Sequence, residues 1–169
     1  MSRNYYKIQY RLEGAEAYLL WFTNEQDGVI TTPEGRMPSF STEAALVAYA
    51  KRNGVSVSGE AATLHDFDAL QAWADDPRPD TVDCSNLLSA WNLFSDVARS
   101  MPSEAQAFAR KDKGLTSLYN KLFWGNNLPA VTPNGHRFDP KWSTDELVRL
   151  AEGIAAGLQL FRYARIEAV

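Results

Sequence analysis

The sequence predicts an α+β fold in one domain, with an N-terminal antiparallel β-meander packed against a C-terminal helical layer. Near its start, apolar residues alternate with polar ones, the period of a half-buried strand. After residue 84 they recur every three or four residues, the period of an amphipathic helix. A length of 169 residues suits a single domain. Residues 1–64 should be mainly strands with one helix, and 66–169 mainly helical.

Turns with glycine after an acidic residue divide the first third of the chain. They are Glu13-Gly14, Asp27-Gly28 and Glu34-Gly35, and Asp-Gly is a strong hairpin signal. The four strands predicted around them cover residues 5–12, 17–23, 29–32 and 36–38. Residues 55–57 and 61–64 are expected to return to the sheet after the first helix.

Capping residues mark the helix ends. The last helix has the clearest start, because Ser143 and Glu146 fit a capping box with Trp142 and Leu147 at the staple positions. The helices predicted from such signals start at Ser41 or Thr42, at Asp66, near Cys84, at Ser103 with Gln106, and at Ser143, with an interruption or bend at Gly114. The side chains expected to be mostly buried are Trp91, Phe94, Leu118, Leu122, Leu150, Ile154 and Phe161.

Several classes of protein and site are excluded by what the sequence lacks. Cys84 is the only cysteine, which rules out an internal disulfide and a cysteine-based metal cluster. No signal peptide or run of 18 apolar residues is present, so we expect a cytoplasmic protein that does not span a membrane. No phosphate-binding, dinucleotide-binding, zinc-protease or nucleophile-elbow motif occurs. We therefore predict no cofactor, no metal and no catalytic residue, although a carboxylate-only metal site stays open.

Negative charge is concentrated in one segment. The net charge is −4, yet residues 60–83 alone hold seven acids against Arg78, a local charge of −6. Direct nucleic-acid binding is disfavoured, because phosphate contacts require clustered Lys and Arg. The run is either a solvated connector or a docking face for a basic protein. The four acids proposed for docking are Asp75, Asp76, Asp80 and Asp83.

The aromatic loop, residues 120–143, is the most informative stretch. Its asparagines, glycines and prolines predict a loop, and its aromatic residues indicate that this loop is pinned to a core. Asn126 and Asn127 either offer amide donors to a partner or satisfy backbone groups of a tight loop. His136 and Asp139 are the best acid–base pair on offer, and the alternative is a histidine held in a turn.

Three segments carry a resemblance to a known class of proteins. They are the opening YYKIQYRLEG with YLLWF, the segment DCSNLLSAWNLFSDVA, and the block LYNKLFWGNNLPAVTPNGHRFDPKWS. On these the chain resembles bacterial immunity proteins of polymorphic-toxin systems, of the contact-dependent growth inhibition type. The resemblance implies a cytoplasmic protein that binds a cognate toxin domain and blocks its active site or substrate surface. Many such toxins are nucleases, whose phosphate-binding surfaces are basic.

Three functions therefore stand as hypotheses. The first is a non-enzymatic inhibitor of a basic toxin domain, which it would bind through the four docking acids and the two asparagines. The second is a small hydrolase or lyase that uses His136 and Asp139 in a pocket under the aromatic loop. The third is a structural subunit with a broad apolar patch. The sequence does not set the oligomeric state.

Overall fold

The computed structural model describes residues 3–101 and 114–168. The capping box expected at Ser103 and Gln106 lies outside these ranges. The N-terminal antiparallel sheet and the C-terminal helices confirm the predicted α+β class.

A four-stranded sheet in the order β3-β2-β1-β5 forms the centre of the fold. Strand β1 (Asn4–Leu12) and strand β2 (Ala15–Thr23) are antiparallel over their full length. The two-residue turn between them has positive φ at both Glu13 (56°) and Gly14 (74°), the geometry of the tightest hairpin turns. Both turn N–H groups donate to the Asp68 carboxylate, at 2.6 and 2.9 Å. The hairpin is thereby tied to the helical part of the chain.

The two edges of this sheet are different. Strand β3 (Gly28–Val29) pairs antiparallel with β2. It begins one residue before the predicted strand at 29–32 and ends three residues before that strand's expected end. On the other edge, β5 (Thr63–Asp66) runs parallel to β1. Residue 57 joins the same edge through an isolated bridge to Tyr5. Both predicted returns to the sheet are therefore found.

The fourth strand of the predicted meander is at the expected place but has a different partner. Strand β4 (Met37–Ser39) pairs in parallel with β6 (Arg165–Glu167) in a separate two-stranded sheet. Next to it, Phe40 still pairs with Tyr18 of β2. The prediction of four consecutive meander strands is thus wrong in its last member. Pro38 has no N–H with which to continue an antiparallel ladder, and proline is confined to sheet edges for this reason.

Helices cover both faces of the central sheet. Helix α1 lies on one face, where Leu20, Leu46 and Ala50 form a small core. The larger core lies on the opposite face, toward which the neighbouring Leu19 points. The helices are α1 (Glu43–Arg52), α2 (Phe67–Asp75), a 3-10 turn (Pro79–Thr81), α3 (Cys84–Ser100), α4 (Thr116–Gly125) and α5 (Thr144–Ala164). None of them, within the described ranges, is both long enough and apolar enough to cross a membrane.

The capping signals are confirmed where the structure describes them. Thr42 caps α1 and Asp66 caps α2, each through its side-chain oxygen. The capping box of Ser143 and Glu146 is complete at the start of α5. Helix α4 begins at Thr116, just after the break expected at residue 114, and includes residues 120–125 of the aromatic loop. Those six residues were expected to be loop. However, no Gly or Pro interrupts residues 116–124, and the spacing of Leu118 and Leu122 extends the buried face of the helix.

The core lies where helix periodicity places it. All seven side chains expected to be buried are at most 2% exposed, which confirms that prediction. Helix α5 approaches α3 closely at two buried glycines, Gly153 and Gly157. A methyl group at Gly157 would overlap the ring of Phe94, and one at Gly153 would lie 3.2 Å from Trp91. The absence of two side chains thus sets the distance between the helices.

Candidate protein-binding groove

A groove of about 830 Å³ separates the turn before α3 from the aromatic loop. Asp80 and Asp83 line one wall, while Asn126 and Asn127 line the other. These residues are far apart in the sequence, and the fold brings them together. Four of the six residues proposed for partner binding therefore share one groove.

The remaining two, Asp75 and Asp76, lie outside the lining of the groove at the end of α2. Asp75 accepts a hydrogen bond from Gln71 Nε2 at 2.9 Å. Asp76 and Arg78 form an ion pair of 3.1 Å, with side chains 73% and 64% exposed. Exposed pairs of this kind contribute little to stability. Acidic groups at a helix C-terminus also oppose the helix dipole, so local stability does not explain why both are present.

Two other acids of the run have structural roles. The Asp66 side chain caps α2 and pairs with Arg11 at 2.9 Å. Asp68 binds the backbone of the β1–β2 turn. The acidic run is thus divided, and apart from the exposed Glu60 its solvent-facing acids lie in residues 75–83. We call Asp75, Asp76, Asp80 and Asp83 the acidic rim.

Asp83 combines a structural role with exposure. Its carboxylate accepts a hydrogen bond from the backbone N–H of Asn86 at 3.0 Å and another from Asn86 Nδ2 at 2.8 Å. The residue is therefore the N-cap of α3, which the sequence analysis did not assign. Its side chain remains exposed at the mouth of the groove. A substitution intended to remove only its charge must preserve the cap.

The side chain of Asn127 holds the aromatic loop together. Its Oδ1 accepts from the Phe138 backbone N–H at 2.7 Å, and its Nδ2 donates to the Phe138 carbonyl at 2.8 Å and to the Gly125 carbonyl at 3.0 Å. The backbone is left-handed, with φ 49°, a conformation that Asn tolerates well. Its amide is therefore engaged within the loop. Asn126 caps the C-terminal end of α4 through its backbone.

The two walls of the groove are in direct contact at its base. A methyl group at Gly125 would lie 2.6 Å from Cys84 Sγ and 3.0 Å from Pro140 Cγ. Only glycine fits here without displacement. Burial raises the pKa of the Cys84 thiol, and the carboxylates of Asp83 and Asp139 add to the shift. Cys84 is thus a packed thiol at the join between α3 and the aromatic loop.

The aromatic loop exposes large apolar side chains beside the groove. Trp124 is 50% exposed and Phe138 is 44% exposed. Four of the nine large apolar side chains recorded as exposed in the described residues belong to this loop: Trp124, Leu128, Val131 and Phe138. Exposed aromatic residues next to charged ones are typical of protein interfaces, where aromatic anchors lie within a polar rim.

His136 and Asp139 do not lie together in a pocket. Both side chains are exposed. Asp139 pairs with Lys141 at 2.9 Å, and this hydrogen bond together with the lysine charge lowers the pKa of the Asp139 carboxyl. Asp139 lines the groove, whereas His136 is not among the residues that line it. The arrangement that the hydrolase or lyase hypothesis requires is therefore not found at these two residues.

Asp96 is a buried acid that no sequence pattern indicated. It is 6% exposed, accepts a hydrogen bond from Trp21 Nε1 at 2.7 Å, and pairs with Arg99. Burial raises its pKa, and the Trp21 and Arg99 donors oppose that shift. Asp96 lies among the buried residues of α3. A single acid in a helical repeat looks like an ordinary surface residue, so the sequence did not indicate that it is buried.

No family model and no curated protein sequence matches the chain. Its structure is similar to the crystal structure of the SatS C-terminal domain in complex with bromine. The TM-score is 0.62 at 16% sequence identity, and the match covers 98% of this chain and 94% of that chain. The likeness at this identity is one of fold, which extends over nearly the whole of both chains.

Proposed function

We propose that the protein is a non-enzymatic immunity protein that binds a basic toxin domain and covers its active site or substrate surface. The observation that carries the proposal is the placement of Asp80 and Asp83 in one groove with the exposed Phe138, with the exposed Trp124 adjoining Gly125 of the same lining. The resemblance of the sequence to immunity proteins of the contact-dependent growth inhibition type supports the same function, in the cytoplasm of the cell that it protects.

The charges of the groove favour a cationic partner. Asp80 and Asp83 line it together with Asp139, and the cations on the same lining are Arg137 and Lys141. Lys141 is already paired with Asp139. Asp80 and Asp83 therefore face Arg137 as the remaining cation of the lining, and three acids against two cations leave a net charge of −1. A nuclease toxin must present a basic surface to phosphates, so an acidic inhibitor can occupy that surface in place of the substrate.

The aromatic side chains supply the apolar part of the interface. Neutralising a lethal enzyme requires nanomolar binding or better, about −12 kcal/mol. Such complexes typically bury about 800 Å² on each partner, under a tenth of the 9737 Å² surface of this protein. Electrostatic attraction mainly accelerates encounter, while buried aromatic anchors slow dissociation. The two features of the groove therefore have separate kinetic signatures.

The test takes the product of the neighbouring gene as the candidate toxin domain. Cells that express that domain should survive only when this protein is co-expressed, and the purified pair should form a complex. Loss of protection with intact expression would refute the proposed function. Inhibition by breakdown of the toxin, rather than by stable binding, would favour an enzyme instead.

Two sets of variants then test the surface. Asp76→Lys/Asp80→Lys should slow association about tenfold at low salt, whereas the control Glu25→Lys/Glu152→Lys changes the net charge equally at exposed residues outside the groove. Trp124→Ala should accelerate dissociation by a factor of about 30, while the control Tyr163→Ala removes an equally exposed aromatic residue elsewhere. Equal kinetics for test and control variants would refute this location of the interface.

A further inference from the structure

A second groove runs along the open edge of the central sheet. Its volume is about 430 Å³, and it lies between β5, α2 and the first turns of α3. Thr63, Leu64 and His65 line it from the strand, and Trp73 lines it from α2. This groove shares Thr81, Asp83 and Ser85 with the one described above. The two therefore meet at the turn that precedes α3.

The strand along this groove has one unpaired side. β5 is the last strand of the sheet order, and β1 is its neighbour on the inner side. In a parallel ladder every second residue directs its backbone N–H and C=O away from the neighbour. Within residues 3–101 and 114–168, no strand pairs with the outer side of β5. Leu64, in the middle of the strand, is 42% exposed.

The opposite edge of the sheet is closed, which makes the open edge distinctive. β3 has only two residues, and the N–H of Val29 donates to Ser100 Oγ at 2.9 Å. Helix α3 thus satisfies that edge with a side chain. Natural proteins usually shorten, charge or cover the edges of their sheets. β5 is short, and among the described residues no strand covers its outer side.

Two properties of the groove define what would fit it. No Lys or Arg lines it, whereas Asp66 and the exposed Asp83 do. In addition, the buried Nε1 of Trp73 has no hydrogen-bond acceptor in the described part of the chain. A buried donor without an acceptor is unfavourable, because it has given up its hydrogen bonds to water. An occupant with basic side chains and free carbonyl groups complements both properties.

We propose that β5 is a docking edge for an extended segment of a partner protein that carries Lys or Arg beside apolar residues. The segment adds a fifth strand to the sheet, and its backbone pairs with the outer side of β5. Its basic side chains meet Asp83, and its apolar side chains enter the groove between α2 and α3. This mode of recognition takes affinity from backbone hydrogen bonds and specificity from alternate side chains. The inference goes beyond the proposed function, because the partner need not be a toxin.

The probe is a blocked hexapeptide of alternating Lys and Val, titrated into the full-length protein and followed by NMR. Binding should shift the indole N–H resonance of Trp73, which is assigned from its loss in Trp73→Phe. It should also slow hydrogen exchange at alternate amides of β5. A hexapeptide of alternating Glu and Val is the matched control and should produce neither change.

The charge of the groove is tested by Asp83→Asn. Asparagine caps a helix as well as aspartate does, so α3 keeps its start while the groove loses one charge. The dissociation constant for the Lys–Val peptide should rise about threefold to tenfold, and Asp145→Asn at the exposed start of α5 should leave it unchanged. Equal affinity of wild type and Asp83→Asn for this peptide would overturn the proposal.

Two further outcomes would also overturn it. Binding of the Lys–Val peptide without any change at β5 would place the site elsewhere. Protection of β5 that rises with protein concentration in the absence of peptide, together with dimers in sedimentation, would make a second copy of this chain the occupant. Failure of toxin protection, by contrast, would leave these peptide measurements unaffected.

Discussion

Replacing Asn127 should release the aromatic loop from the groove while leaving the core of the protein intact. The residue joins the end of α4 to Phe138 through two hydrogen bonds with the Phe138 backbone. It also adopts φ 49°, a left-handed conformation that Gly and Asn tolerate but that strains most other residues. Asn127→Ala therefore removes both of these bonds, together with the local bond to the Gly125 carbonyl, and adds backbone strain. Asn127→Gly removes the bonds without the strain.

The expected magnitudes follow from these contacts. A neutral hydrogen bond contributes about 0.5–1.5 kcal/mol net, so the two bonds to Phe138 contribute about 1–3 kcal/mol. Left-handed geometry costs Ala about 1 kcal/mol relative to Gly. Asn127→Ala should thus lower the free energy of loop opening by about 2–4 kcal/mol, and Asn127→Gly by about 1–3 kcal/mol. Asn127→Asp retains the acceptor for the Phe138 N–H but places a carboxylate against the Phe138 carbonyl.

Hydrogen exchange at the Phe138 amide measures this local opening. Its protection should fall in the order wild type, Gly variant, Ala variant, by about 30-fold for a loss of 2 kcal/mol. Global unfolding in urea should change less, since the loop can open before the core does. Equal exchange of this amide in all variants would show that the side-chain clamp is not what orders the loop.

Three other predictions concern charge and packing. Asp75→Lys/Asp76→Lys should raise the free energy of unfolding in urea by about 0.5–1 kcal/mol at low salt, because basic groups then lie at the C-terminus of α2. A decrease in this free energy would contradict a favourable interaction with the helix dipole. Gly157→Ala should lower the melting temperature, because the added methyl group overlaps the ring of Phe94 at a cost of about 1–3 kcal/mol. Gly153→Ala should lower the melting temperature less. Equal effects of the two variants would show that the contact at Gly157 is not the closer one. Since burial raises the pKa of Asp96 in the folded state, its contribution to stability is complete below the unfolded pKa near 3.8 and is lost as pH rises through the folded value. The free energy of unfolding of Asp96→Asn in urea should therefore rise relative to that of the wild type as the pH increases over that window. A difference that does not depend on pH would refute the raised pKa.

The parts of the fold that the sequence predicted are those governed by neighbours along the chain. The caps at Thr42, Asp66 and Ser143 depend on a side chain and a backbone N–H two or three residues away. Apolar periodicity likewise places Trp91 and Ile154 in the core without knowledge of what they meet. Such signals are local, and the structure confirms them.

The parts that were not predicted depend on contacts between distant segments. The partner of β4 is 128 residues away from it, so no turn residue sets the pairing. The buried glycines of α5 reveal their role only when the rings of α3 are placed against them.

The candidate site shows the same division. Composition identified the acidic run and the asparagine pair, but not their uses. Asp83 is a helix cap and Asn127 is a clamp on Phe138, and both roles involve backbone groups that every sequence contains. The groove between them exists because Gly125 allows α4 to approach Cys84. Only the three-dimensional arrangement distinguishes the acids at the groove from those that hold the β1–β2 turn.

The pairing of β4 with β6 affects the order in which this protein can fold during its synthesis. Residues 37–39 leave the ribosome early, yet their partner strand follows the end of α5, and Arg36 also donates to the carbonyl groups of Ala164 and Arg165. Closing a loop of this length carries a large entropic cost that is recovered only when the late contacts form. The small β4–β6 sheet therefore cannot assemble until translation has passed residue 167. Its formation joins an early strand to the segment that directly follows the last helix.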